Sequence, residues 1–152
     1  METKGSTRTD QLISLLIQRV DSNRADLVAR FHHVLQESLF SNRASVRPSQ
    51  LKLIAEEEAE ALLNFLRESG FSGTEHGEKL HQAGFNIGSV LKLSQVSCQF
   101  LFDHLEDDQV AFVLDTIDSY RQAVAEGYIK SMQEEQRVEL ERVRNALTRG
   151  ST

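Results

Sequence analysis

The segment from Ser131 to Gly150 is the feature that most constrains the fold. It reads SMQEEQRVELERVRNALTRG, and nearly every residue in it favours an α-helix. The segment is too polar to fold back into a globular core, yet helices in proteins draw most of their stability from packing. The pattern therefore predicts a helix that leaves its own domain and packs on another surface.

A thin seam of recurring positions runs along this segment. Its steps of 4, 3, 4, 3 and 4 residues are the spacing at which helices pair in a coiled coil. Its members are Ile129, Gln133, Gln136, Leu140, Val143 and Leu147. We predict that residues 129–149 form a signalling helix, or coiled-coil linker, that pairs in a parallel homodimer and leads to an output domain. The alternative is a solvent-exposed terminal helix that frays.

The rest of the sequence predicts further helices and no strand, because apolar residues recur at helical spacing and do not alternate with polar ones. We expect a disordered tail over residues 1–8 and a helical domain over 9–128, in which Pro48 opens the third helix and Asn86 caps the fifth. The faces expected to be buried are Leu27, Phe31, Val34, Leu35 and Ser38 in the second helix, Leu51, Ile54, Ala55, Leu62, Leu63 and Leu66 in the third, and Ile87, Val90, Leu91, Cys98, Leu101, Phe102 and Leu105 in the fifth.

The composition limits which binding partners and which cellular location are expected. The net charge of -6 disfavours nucleic acid and anionic membranes, which attract basic surfaces. The single cysteine, Cys98, excludes an internal disulfide, and no apolar run reaches the roughly 18 residues that span a bilayer. The N-terminal residues lack the apolar stretch of a signal peptide. We therefore expect a cytoplasmic protein.

Residues that could carry chemistry are few. Glu78 and His81 form one E-x-x-H motif, whereas di-iron bundles need two such motifs and two further glutamates. We interpret this pair as surface residues and the acidic run Glu56 to Glu60 as solvated. No phosphate-binding glycine loop and no nucleophile elbow is visible. The expectation is a protein that is not an enzyme and that uses no metal or other cofactor.

A haem-binding sensor is the alternative, because a cytoplasmic helical bundle with an output helix could hold haem through one proximal histidine. His81 is the best-placed candidate and His104 the second. The low aromatic content, with no tryptophan, argues against this alternative.

The stretch from Gly84 to Leu105, GFNIGSVLKLSQVSCQFLFDHL, resembles the N-terminal domains of the RsbR family of stressosome co-antagonists. Similar domains precede some bacterial histidine kinases. The resemblance implies a globin-like, non-haem helical fold that dimerises and whose last helix runs toward an output module. The family pattern has no haem-ligating histidine. In haem-binding globin sensors, however, the proximal histidine lies about four residues before the matching glycine, and His81 lies three before Gly84, so the haem alternative stays open.

These observations predict a sensory input domain of a bacterial signal-transduction protein. We expect it to act as a homodimer and to pass a conformational signal through its last helix to a kinase or STAS-like output domain. The signal could be a small molecule. A haem-binding gas or redox sensor is the competing prediction, and an enzyme comes third.

Overall fold

The computed structural model describes residues 4–38, 47–67, 73–106 and 109–150, and six α-helices account for most of them. The helices are α1 (Lys4–Ser22), α2 (Arg24–Ser38), α3 (Leu51–Arg67), α4 (Gly73–Gln82), α5 (Ile87–His104) and α6 (Val110–Gly150), and a 3-10 turn, Pro48–Gln50, precedes α3. The described ranges contain no β-strand. The all-α fold class is therefore confirmed.

The first helix begins earlier than the sequence predicts. We expected a disordered tail over residues 1–8, but α1 starts at Lys4, so that prediction is wrong for residues 4–8. Once a helix has nucleated, each added residue gains a backbone hydrogen bond at little further cost. The apolar turns around Leu16 and Val20, which are buried, supply the nucleus from which the helix extends backward.

The core lies between α2, α3, α5 and the first part of α6. The expected face of α2 is buried in full: Leu27, Phe31, Val34, Leu35 and Ser38. In α3 the expected residues are also buried, except that Ile54 is only half-buried. These two faces follow the helical period closely because each has one apolar side and one polar side.

The buried face of α5 differs from the predicted one. Ile87, Leu91 and Phe102 were expected in the core and are exposed. The buried side instead carries Leu93 and Phe100, with Val90 and Leu101 as predicted. Ser89, Ser94 and Ser97 lie on this same buried side.

The last helix, α6, has two parts. Its first part contributes Val113, Ile117, Tyr120, Val124 and Tyr128 to the core. From Gln133 onward every residue is exposed. At 1.5 Å per residue this exposed part is roughly 27 Å long, so the helix projects well beyond the bundle.

The short helix α4 packs on α6 more extensively than on any other element. The two helices run parallel, since successive turns of α4 meet successive turns of α6: Gly73 lies against Ala123, Gly77 against Val124 and Tyr128, and His81 against Ser131. A Cβ atom on Gly77 would stand 2.8 Å from the backbone nitrogen of Tyr128, and one on Gly127 would stand 2.7 Å from the Cα of Thr74. The contact is therefore backbone against backbone, at a separation that only glycine permits.

The chain leaves α4 through a tight turn. Gly84 has a φ of 92°, its N–H bonds to the carbonyl of His81, and the N–H of Phe85 bonds to the carbonyl of Leu80. This pair of bonds is the Schellman arrangement, which favours glycine at the left-handed position. Asn86 then caps α5 as predicted, because its side chain accepts a hydrogen bond of 2.8 Å from the N–H of Ser89.

Candidate functional site

A buried histidine–carboxylate pair joins α4 to α3. His76 Nε2 lies 2.6 Å from Glu58 Oε1, and the two side chains are only 12% and 7% exposed. α3 and α4 otherwise touch at few points. This pair is therefore the main polar link between the two helices.

The environment favours the charged form of His76. Burial by itself would lower the pKa of His76, but the negative charge of Glu58 and the hydrogen bond to it outweigh burial, so the pKa of His76 lies above its usual value. Tyr120 of α6 lies nearby; burial, with a contribution from the charge of Glu58, holds its pKa well above the usual value. Phe65 packs on Tyr120 with ring centroids 5.0 Å apart and completes the contact of α3 with α6.

The burial of Glu58 corrects the prediction that the acidic run of α3 is solvated. The physical reason is the pair itself, because a buried carboxylate is tolerated when an opposite charge and a hydrogen bond compensate its desolvation. Position 58 lies seven residues after Leu51 and four before Leu62, on the apolar side of the helix. That spacing was visible in the sequence, but its partner on α4 was not.

The second histidine of α4 holds the base of the projecting helix. His81 Nδ1 lies 2.7 Å from Ser131 Oγ, and His81 Nε2 lies 3.0 Å from Glu135 Oε2. The ring also meets Tyr128 edge-on, with centroids 5.1 Å apart. The prediction of a surface E-x-x-H pair is wrong for His81, which is largely buried, while Glu78 lies 3.5 Å from Lys130.

His81, the first candidate haem ligand, does not fit that role in this structure. A haem-binding histidine needs one ring nitrogen free to point at iron, whereas both ring nitrogens of His81 are occupied by α6. His104 Nε2 lies 3.1 Å from Asp26 Oδ2, and its ring packs on Phe100 at 4.5 Å. The two histidines tie helices together: α4 to α6 and α5 to α2.

Every predicted seam position lies on the surface. The apolar members are exposed, with Leu140 at 68% and Leu147 at 71%, and the two glutamines between them are exposed as well. Leu140 follows Ser131 by about two and a half helical turns, which places it on the side of α6 opposite the Ser131 contact with α4. The seam therefore faces away from the helix that holds the base of α6.

A row of exposed apolar side chains continues the seam down the side of the bundle. We call this row the apolar face, and it consists of Ile87, Leu91, Phe102, Leu114 and Ile129. α5 and α6 run antiparallel, since Phe85 accepts a 2.7 Å hydrogen bond from Tyr128 whereas Cys98 lies near Asp118 and Arg121. This register sets Ile87 near Ile129 and Phe102 near Leu114. Of the large apolar side chains that are exposed in the described ranges, only Leu53 and Val138 lie outside the apolar face and the seam.

The described residues hold neither a metal-ligand cluster nor a membrane-crossing helix. Among them no group of three or more histidine, cysteine, aspartate or glutamate side chains could hold a metal ion. Of the described helices, none combines the length and the apolar character that crossing a membrane requires.

Comparison with known proteins adds no relative. No protein-family model, no curated protein and no solved structure matches the chain. What the fold and the site define is an all-α bundle with a long projecting C-terminal helix, in which α4 connects a buried histidine–carboxylate pair to the base of that helix.

Proposed function

We propose that this chain is the sensory input domain of a bacterial signal-transduction protein, acting as a homodimer. In this proposal α6 carries a change of packing from the bundle to a downstream output domain of the kinase or STAS type. The resemblance of residues 84–105 to the RsbR-type, globin-like input domains supports the proposal, as does the two-part α6.

The observation that carries the proposal is the one-sided distribution of exposed apolar side chains. Apart from Leu53 and Val138, the exposed large apolar side chains of the described ranges belong to the seam or the apolar face, and the antiparallel register of α5 and α6 sets these two groups next to each other. Exposed apolar surface of this extent marks an interaction site in soluble proteins. A parallel second copy, related by a two-fold axis along the seam, would cover both parts at once, because the apolar face flanks the same side of α6.

The free energy expected from burying apolar side chains suits a dimer whose affinity depends on both the seam and the apolar face. Complete burial of one leucine or valine side chain is worth roughly 1.5–3 kcal/mol, and half-exposed pairs give less. The seam alone has only four apolar members, and its two glutamines weaken the pairing while helping to fix the register. The apolar face adds further side chains close to the same axis.

Transmission requires a unit that moves as one body. The glycine contacts join α4 to the core part of α6, and His81 joins its end to Ser131 and Glu135. Movement of α4 against α3 therefore moves the base of the projecting helix. A signal can shift the balance between two such arrangements only by binding them with different affinity.

The haem-binding sensor remains the second candidate. Its support is the position of His81 three residues before Gly84, and the occupation of both ring nitrogens of His81 is the reason that we place it second. A visible spectrum of the purified protein tests it. A Soret band that disappears in a His81→Ala variant would make the haem-binding sensor the leading proposal.

Disulfide cross-linking tests the paired helices. In a Cys98→Ser background, Val143→Cys places a thiol in the seam, and Glu141→Cys places one outside it as a matched control. We expect the seam variant to cross-link much faster and light scattering to give twice the 17.2 kDa chain mass. Equal cross-linking rates would reject the paired helices.

Surface substitution tests the apolar face. Leu91→Asp introduces a charge in the proposed interface, whereas Leu53→Asp changes an equally exposed leucine on the outward side of α3. We expect Leu91→Asp to weaken dimerisation at least tenfold and Leu53→Asp to leave it unchanged. If both variants dimerise like the parent protein, the apolar face is not the interface.

A further inference from the structure

A cleft of about 340 Å³ opens between α3 and α4, beside the buried histidine–carboxylate pair. Its apolar lining comes from Ile54, Ala61, Leu80, Ala83 and Phe85, of which Ile54 and Ala83 are half-buried and the other three are buried. Small-molecule sites in proteins are clefts of this kind, in which an apolar lining holds the body of the ligand and a few polar groups orient it. The volume suits a ligand of roughly ten non-hydrogen atoms.

The polar groups at this cleft leave an excess of negative charge. Four glutamates line it: Glu57, Glu58, Glu60 and Glu75. Glu58 is paired with His76, and Glu60 is paired with Arg24 and Arg67. Glu57 and Glu75 then face one lysine, Lys79, and none of the salt bridges between described residues includes these three side chains.

We infer that the α3–α4 cleft binds a small organic ammonium compound, whose cation lies beside Glu57 and the buried Glu58 and whose hydrocarbon part covers Ile54 and Ala83. A cation is favoured because it balances the excess negative charge at the rim of the cleft, whereas an anion would be repelled. The assignment of this ligand as the signal rests on the proposed function; the binding site itself does not.

The position of the cleft suits a signal. One wall is α3 and the other is α4, and α4 is joined to α6 by contacts that a single Cβ would break. A ligand that draws α4 toward α3 therefore moves the base of α6 with it. Because the Glu58–His76 hydrogen bond borders the cleft, the ligand also changes the electrostatic environment of that link.

Benzylamine is the probe, with benzyl alcohol as its neutral counterpart and benzoate as its anionic one. Amide shifts of the full chain would be followed by NMR as each compound is added. We expect saturable shifts in α3 and α4 with benzylamine, affinity at least fivefold weaker with benzyl alcohol, and no binding of benzoate.

Two neighbouring substitutions sharpen the test. Glu57→Gln removes one charge from the cleft and should weaken benzylamine binding by roughly fivefold. Glu56→Gln is the matched control, because Glu56 is the preceding residue of α3 but lines a separate groove between α2 and α3. The inference is overturned if benzylamine causes no saturable shift, if benzyl alcohol binds equally well, or if the two substitutions have the same effect.

The outcome is independent of the test of the proposed function. Saturable amine binding in a protein whose Val143→Cys variant fails to cross-link would uphold the cleft and reject the paired helices. Fast cross-linking of the Val143→Cys variant in a protein that does not bind benzylamine would uphold the paired helices and reject the cleft as an ammonium site.

Discussion

Gly77→Ala is the substitution that probes the α4–α6 contact most directly. Gly77 lies inside α4 without a positive φ, so alanine suits its backbone conformation. The added Cβ, however, would stand 2.8 Å from the nitrogen of Tyr128 and closer still to the carbonyl oxygen of Val124. Real Cβ atoms essentially never approach a neighbour within 3.0 Å. Both obstructing groups are backbone, so no side chain can rotate away.

The magnitude follows from two opposing terms. Replacing glycine by alanine in a helix stabilises it by about 1 kcal/mol. To restore ordinary contact distances, α4 must move away from α6 by about 1 Å or more, and overpacking of this kind costs about 1–3 kcal/mol even where side chains can adjust. With backbone on both sides the cost reaches at least the upper end of that range, so we expect a net destabilisation of about 2 kcal/mol or more, which corresponds to roughly 4–8 °C or more in the thermal midpoint.

Circular dichroism melts of Gly77→Ala and Gly88→Ala provide the assay and its control. Gly88 lies near the start of α5, is exposed, and a Cβ there would meet only Asn86 Oδ1 at 3.3 Å. We expect Gly88→Ala to melt within about 2 °C of the parent protein. If Gly77→Ala melts at the same temperature as Gly88→Ala, the close helix contact does not exist and the transmission route through α4 fails with it.

Three further predictions concern the buried polar groups. Glu58 raises the pKa of His76 in the folded protein. The stability that the pair contributes is therefore complete below the pKa of histidine in the unfolded chain and is lost as pH rises through the pKa of His76 in the folded protein. We expect His76→Gln to lower the free energy of unfolding, measured in urea, more at pH 5.5 than at pH 8.5. Tyr128→Phe should cost about 1–2 kcal/mol in the same assay, because it removes the donor to the carbonyl oxygen of Phe85. Cys98 should react with iodoacetamide at pH 7.5 more slowly than a free thiol, since burial raises its pKa; an equal rate would contradict that environment.

The sequence was informative wherever a helix has one apolar and one polar side. This was true of α2, whose buried face was predicted correctly. In α5 both sides of the helix carry apolar residues, so the helical spacing does not show which side is buried. The buried side proved to be the one with serines, because Ser94 and Ser97 bond to carbonyl groups of their own helix and so lose little on burial.

The parts of the site that the sequence did not reveal depend on pairs distant along the chain. Glu58 and His76 lie on different helices, and so do His81 and Glu135. A single sequence carries no signal for such pairs, although the position of Glu58 on the apolar side of α3 was visible in it. The seam was predicted from coiled-coil spacing, which is local in the sequence. The structure places its members on the surface, and their pairing stays a prediction.

The length of α6 beyond Tyr128 makes it a lever. From Tyr128 to Leu147 the helix rises roughly 28 Å, so a tilt of about 5° at its base displaces the far end by about 2.5 Å. That displacement is about half the pitch of an α-helix, although the atoms at the base move by only a fraction of it. The pivot of this lever lies at Tyr128, just before the residues that His81 contacts, Ser131 and Glu135. A small tilt at that point therefore becomes a larger displacement at the far end of α6, while the helix itself stays straight.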